Sequence, residues 1–178
     1  MARTSTFGAP VATVDVTAQT LTVHWKGRTV GVFRVSTSAK GIGAAEGSGK
    51  TPPGRHRVAR LFGHTAVPGQ VFVSRRAVKG HVIPASAWRT AQSKDYVLTR
   101  ILWLEGLEPG VNCGPGVDSH ARYIYIHGTN QEHLLGTPAS HGCIRMSNAD
   151  VCRLFAFAKR HRDLLVVIDE ESHSTGTR

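Results

Sequence analysis

Residues 123–148 read YIYIHGTNQEHLLGTPASHGCIRMSN, and they carry both the strand-to-loop signal and the reactive side chains. The stretch opens with alternation. In an extended chain residues i, i+2 and i+4 share a face, so Tyr123, Tyr125 and His127 point one way and Ile124 and Ile126 the other. The strand predicted over residues 122–127 gives out at Gly128, which leaves His127 at the rim of a sheet. Residues 128–142 contain Gly128, Gly136 and Pro138 and read as a loop able to fold back. Next, Ser147-Asn148-Ala149-Asp150 fits a capping box, with Ser147 as N-cap and Asp150 at N3. Val151, Leu154, Phe155 and Ala158 then fall at i, i+3, i+4 and i+7, the apolar stripe of an amphipathic helix.

Upstream the pattern is β. Val14 and Val16 alternate with polar residues, as do Leu21, Val23 and Trp25, and a third run covers Val30, Val32 and Phe33 to Val35. Lys26-Gly27-Arg28 between the last two reads as a hairpin turn. Residues 36–54 are rich in Gly, Ser, Lys and Pro and form a long loop ending in Thr51-Pro52-Pro53-Gly54. Further strands are predicted at 55–62, 70–74, 96–104 and 164–169, a helical turn or two at 86–92, and a second Gly/Pro loop at 105–118. The expected fold is mainly β, sandwich-like, with long loops and one C-terminal α-helix. The expected domain spans residues 11–169, after an N-terminal extension at 1–10 and before a polar, disordered tail at 170–178.

The chain has 178 residues, 40% hydrophobic and 19% charged, a globular profile. No apolar run approaches the roughly 18–20 residues of a spanning helix, so no membrane partner is expected. The formal net charge of +10 favours an anionic partner, and nucleic acid, acidic lipid and cell-wall glycopeptide all qualify. The basic residues are scattered and no recognition helix is evident, so nucleic acid is not expected as a partner. The first residues lack an apolar segment behind Arg3, which reads as no secretory signal. The expectation is a cytoplasmic protein, or a periplasmic one if the natural chain begins earlier. Three cysteines, Cys113, Cys143 and Cys152, are too few and too odd for a disulfide scaffold.

Cys143 is the residue that asks for chemistry. A free thiol near pKa 8.5 is only a few per cent thiolate at neutral pH, and an imidazole that takes its proton makes it a nucleophile. His127, placed at a sheet rim before a loop that can fold back, is the candidate base. The N–H groups of Gly142 and Cys143 are candidate donors to an oxyanion. Arg145, two residues on, is a candidate to hold a substrate carboxylate. Tyr125 and Tyr123 share the face of His127 and either line a substrate groove or pack the core. Cys152 lies on the predicted helix as a small hydrophobe. The competing reading is zinc, with His120, His127, His133, His141 and Cys143 as the ligand pool. No C-x-x-C or H-x-x-x-H pair frames them, so no metal or other cofactor is expected. A non-catalytic peptidoglycan-binding domain is the other alternative.

The segment His127-Gly128-Thr129 followed by Ser140-His141-Gly142-Cys143-Ile144-Arg145 resembles the active-site signature of the L,D-transpeptidases, the YkuD-like family. Thr51-Pro52-Pro53-Gly54 resembles that family's T-P-x-G turn, and the likeness runs from about Val11 to Ile168. The resemblance implies that Cys143 attacks the carbonyl between the L-centre of diaminopimelate and a terminal D-alanine in a peptidoglycan tetrapeptide. It implies His127 as base, its second ring nitrogen held by the carbonyl of Gly128, and His141 and Ser140 shaping the nucleophile loop. It also implies acylation of the same thiol by carbapenems. A lone catalytic domain without a signal resembles the relatives that trim recycled tetrapeptides, an L,D-carboxypeptidase activity with water as acceptor. A cross-linking transpeptidase is the alternative within the family.

Overall fold

The computed structural model describes residues 8–89 and 94–169. The expected tail at 170–178 lies outside them, as do residues 1–7 of the expected extension and the end of the expected turn at 86–92. Ten strands and one α-helix are formed among the described residues. In chain order they are β1 (Val11–Asp15), β2 (Thr20–Trp25), β3 (Arg28–Ser36), β4 (Gly54–Phe62), β5 (Gln70–Val73), β6 (Arg76–Val82), β7 (Val97–Gly106), β8 (Tyr125–Gly128), β9 (Ile144–Met146), α1 (Asn148–Arg160) and β10 (Leu165–Asp169).

The strands run β4-β10-β1-β2-β3-β9-β8-β7-β5-β6, and β4 also pairs with β7. Eight strands therefore close into a ring, a curled β-barrel or sandwich-like sheet, with the β5–β6 hairpin branching from β7. Closure leaves the ring strands few free edges. The long strand β7 makes this possible. Its start pairs with β5 (Phe72 opposite Val97) and its later part with β4 (Phe62 opposite Ile101, through to His56 opposite Gly106). The register against β8 shifts between Leu98 and Ile101, and Thr99 there takes φ 69°. That bulge bends the strand beside the candidate site, where bulges are commonly used to re-aim side chains.

Alternation decides what each face buries. Leu102, Leu104, Ile126, Ile144 and Met146 point into the ring with Val14, Leu21, Val23 and Ile168. Helix α1 closes this core with Val151, Leu154, Phe155 and Ala158, the predicted stripe. Ser147 caps it as expected, accepting a hydrogen bond from the Asp150 N–H. On the other face of β7 and β8, Ile101, Trp103 and Tyr125 join Phe72 in a smaller cluster against which Cys143 packs. The candidate nucleophile Cys143 lies on this second face.

Two expectations change. The strand predicted from residue 122 begins only at Tyr125, because residues 118–123 turn back on themselves: the Arg122 N–H bonds to Asp118 O and the Ile124 N–H to Ser119 O. Tyr123 takes φ 58° and is exposed. Strands β6 and β9 were not anticipated. The first is charged, exposed and holds a glycine, and the second is a three-residue buried segment with no period to read.

Candidate active site

Strands β8 and β9 run parallel, with Ile126 opposite Ile144 and His127 opposite Arg145. The chain covers the distance between them in residues 129–143, the crossover that parallel strands require. Since Ile126 and Ile144 face the core, His127, Tyr125, Cys143 and Arg145 share the opposite face. The thiol reaches back along it: the Tyr125 N–H donates to Cys143 Sγ at 3.4 Å, and Sγ lies 3.5 Å from Tyr123 O. Cys143 and His127 are thus diagonal neighbours, although no hydrogen bond joins them among the described residues.

His127 is buried, and its Nδ1 lies 2.8 Å from the Gly128 carbonyl. A carbonyl only accepts, so Nδ1 carries the proton and Nε2 keeps a lone pair. Gly128 is confined as well: a Cβ there would stand 2.9 Å from Leu98 O and 2.5 Å from Asn148 Oδ1. Buried Asn148, the first residue of α1, donates from Nδ2 to Thr129 O and accepts from Thr99 Oγ1, tying the end of β8 to helix and bulge.

The nucleophile loop is bonded residue by residue. Ser140 Oγ donates to Cys143 O at 2.5 Å and accepts from the Gly142 N–H at 3.2 Å. Gly142 takes φ 131°, a region that side-chain-bearing residues avoid. Its carbonyl accepts from Thr51 Oγ1 at 3.0 Å, and Thr51 Oγ1 in turn accepts from the Ser38 N–H at 3.0 Å. The Thr51 hydroxyl therefore anchors the Pro-Pro-Gly turn to the nucleophile loop. Of the two expected oxyanion donors, the Gly142 N–H already has Ser140 Oγ, while the Cys143 N–H finds no acceptor among the described residues.

Burial sets the resting protonation. It pushes the Cys143 thiol up to about 11, the Asp95 carboxylate adding to the rise while the Tyr125 N–H, Arg145 and Arg122 pull it down. Burial also pushes His127 below the ordinary imidazole range, against the upward pull of the Gly128 carbonyl and Asp95 and with a downward push from Arg145. The resting pair is a neutral thiol beside a neutral imidazole. For the thiol proton to reach His127 Nε2, the Cys143 side chain would have to turn toward it.

The family model of the L,D-transpeptidase catalytic domain, YkuD, matches residues 9–168. The chain belongs to the L,D-transpeptidase family. Among curated proteins, none matches it. Solved structures show the same fold at low identity. An L,D-transpeptidase from Mycobacterium smegmatis is 17% identical with a TM-score of 0.51, over 90% of this chain and 58% of that one. L,D-transpeptidase 3 from Mycobacterium tuberculosis, in complex with a faropenem-derived adduct, is 16% identical with a TM-score of 0.54, over 91% and 60%. The L,D-transpeptidase LdtMt1, in complex with imipenem, is 14% identical with a TM-score of 0.51, over 90% and 59%. The chain spans less than two thirds of the length of each.

Within this L,D-transpeptidase domain, the remaining expected residues divide. Arg145 is fully buried, and its guanidinium is taken up internally: Nη1 by Gln131 Oε1 at 2.7 Å, Nη2 by Ala139 O at 2.6 Å and by Asp95 Oδ2 at 3.0 Å. It braces the loop from inside instead of offering a fork to a ligand. His141 is exposed, its Nδ1 3.8 Å from Asp95 Oδ2. Tyr125 is buried, edge-on to Trp103, and its hydroxyl accepts from Arg75 Nη1 at 3.0 Å. Among the described residues no three His, Cys, Asp or Glu side chains gather as a metal site; His120, one of the zinc candidates, stacks on Trp103 with ring centroids 3.8 Å apart.

Three residues near the thiol escaped the sequence reading. Asp95 pairs with Arg145 and adds an upward pull on both Cys143 and His127. Arg122 donates to Ala44 O and Lys50 O and pins residues 43–50 beside the nucleophile loop. Arg75 projects from the turn between β5 and β6. Each lies far from Cys143 in sequence and in no motif, so only the strand pairing brings them in.

Proposed function

We propose that this L,D-transpeptidase domain performs cysteine acyl transfer on peptidoglycan stem peptides, cleaving the bond between an L-centre and a terminal D-alanine of a tetrapeptide. The observation that carries the reading is the shared face of Cys143 and His127, with Nδ1 held by the Gly128 carbonyl and Nε2 left as acceptor. The Cys143 Sγ–H proton passes to His127 Nε2 as sulfur bonds to the scissile carbonyl carbon. The oxygen that gains charge is met by the Cys143 N–H. The C–N bond then breaks, the departing amine takes the proton from Nε2, and a thioester remains on Cys143.

For the second half the acceptor we propose is water, giving an L,D-carboxypeptidase of the kind that trims tetrapeptides to tripeptides. Its support is the half-buried thiol, packed against the Trp103–Tyr125 cluster, which favours a small acceptor. Water attacks the thioester, giving its proton to Nε2; the C–S bond breaks and the thiol is restored. Imipenem and faropenem, bound by the relatives named above, would acylate the same sulfur here.

The test is incubation with purified tetrapeptide, read by mass spectrometry. Free D-alanine with tripeptide is expected, and Cys143→Ala should abolish it while remaining folded. Dimers or D-amino-acid exchange would replace water by an amine acceptor. Full turnover by Cys143→Ala would remove the thiol mechanism.

A further inference from the structure

We infer that Arg75 anchors the free carboxylate of the residue that leaves, an inference resting on the acyl-transfer reading above. A tetrapeptide ends in a carboxylate one residue beyond the scissile carbonyl, and an anion brought into a partly desolvated site needs a cation with unused donors. Arg145 and Arg122, whose charges act on the thiol, do not supply one. The first spends its fork on Asp95, Gln131 and Ala139, and the second on the carbonyls of Ala44 and Lys50.

Arg75 is placed otherwise. Its guanidinium lies 4.5 Å from the Trp103 ring centroid and 5.0 Å from that of Tyr123, and Nη1 donates to the Tyr125 hydroxyl at 3.0 Å. Ring faces and hydroxyl fix the plane of the fork. The other N–H groups have no acceptor among the described residues. The path to the thiol is one tyrosine long: Tyr125 gives its N–H to Cys143 Sγ and takes the Arg75 bond on its hydroxyl. Successive Cα atoms are about 3.8 Å apart, so the terminal carboxylate lies one residue from the scissile carbon, and we place it along the Tyr125 side chain, on the Arg75 side of the thiol.

The backbone supplies a separate argument. Ser74 and Arg75 form the two-residue turn between β5 and β6, with φ 47° and 67°. Such turns take Asn-Gly or a similar pair at little cost, because both positions need positive φ. Arginine at the second position holds a strained conformation where glycine would fit freely, as strained residues at functional sites do.

The experiment compares kcat/KM for a tetrapeptide with a free C-terminus and for its C-terminal amide, in the wild type, Arg75→Gln, Arg75→Lys and Arg75→Gly. The wild type should favour the acid by about 10- to 100-fold, the range of a charge-assisted hydrogen-bonded pair. That preference should fall to near unity in R75Q and R75G and survive in part in R75K. R75G keeps the turn and relieves its strain, so a thermal melt at or above that of the wild type separates lost recognition from lost folding. A wild type that turns over neither peptide defeats the acyl-transfer reading and the anchor with it. A wild type active on both without preference, or an R75G that retains the preference, defeats the anchor alone.

Discussion

Arg145 shows how little a residue's place in a motif says about what its side chain faces. Two residues past the nucleophile, it reads as a cation offered to substrate, yet parallel pairing sets it opposite His127, where Asp95, Gln131 and Ala139 take up its guanidinium. Its field at Cys143 and His127 is opposed by Asp95 at 3.0 Å. Nε of Arg145 and Oδ1 of Asp95 are buried without a partner, so the pair is held by geometry more than by saturation of its bonds. Arg145→Met keeps much of the volume and removes the charge. Asp95 is a quarter exposed and can hydrate in part, so we expect a loss of about 2–4 kcal/mol, at the lower side of breaking a fully buried pair, read from the urea midpoint at constant m. For the folded variant, KM for the tetrapeptide should change by less than about threefold, since the guanidinium is taken up by Gln131, Ala139 and Asp95. A large rise in KM at unchanged stability would return Arg145 to the role its motif suggested.

Thr51, at the end of the long loop before β4, joins two elements that the sequence keeps 91 residues apart, through its bond to the Gly142 carbonyl. Thr51→Val is close in shape and removes only the hydroxyl, leaving the buried Gly142 carbonyl and Ser38 N–H unpaired at about 1–3 kcal/mol each. Turnover should fall by about 10- to 100-fold, because a loosely held nucleophile loses its attack geometry, whereas Thr51→Ser should stay near the wild type. Equal activity in Thr51→Val and the wild type would confine this contact to folding. What was legible divides at the same level. The hairpin at Lys26-Gly27, the Ser147 cap, the α1 stripe and the strands from β1 to β5 follow local rules of period and turn chemistry, and all were readable. So was the bond between His127 and the Gly128 carbonyl, which lies in the contiguous stretch that resembles a known signature. The start of β8 was misread because Tyr123 and Tyr125 look alike to a period-2 pattern, while a turn through residues 118–123 separates them. Strand β9 and the placing of Asp95, Arg75 and Arg122 depend on which strands meet across the ring, information that no local pattern holds.

Across the whole molecule, one buried histidine outside the candidate site ties a long segment to the sheet. His56 on β4 is fully buried, with Nδ1 3.0 Å from Gly54 O and Nε2 2.9 Å from Ser119 Oγ. Together with Asn112, whose Nδ2 donates to Pro53 O and Arg55 O, it docks the long segment after β7 onto β4, and that segment carries Arg122 and Tyr123 to the thiol. Burial lowers the His56 pKa from 6.5 to about 4, against upward pulls from the Gly54 carbonyl and Glu108. Its folded pKa lies below its unfolded one, so between these two values the unfolded chain binds more protons. The contribution is complete above about pH 6.5 and is lost as pH falls toward 4, a total of roughly 3 kcal/mol at about 1.4 kcal/mol per unit. His127, also lowered by burial, adds a loss of the same sign, so a comparison with a His56 variant is needed to isolate the term. In urea unfolding, the stability difference between the wild type and His56→Gln should be largest near pH 7 and shrink by roughly 3 kcal/mol near pH 4. A difference that stays constant across that range would mean that His56 titrates normally in the folded protein, and that the segment bearing Arg122 and Tyr123 is held by Asn112 and its neighbours without it.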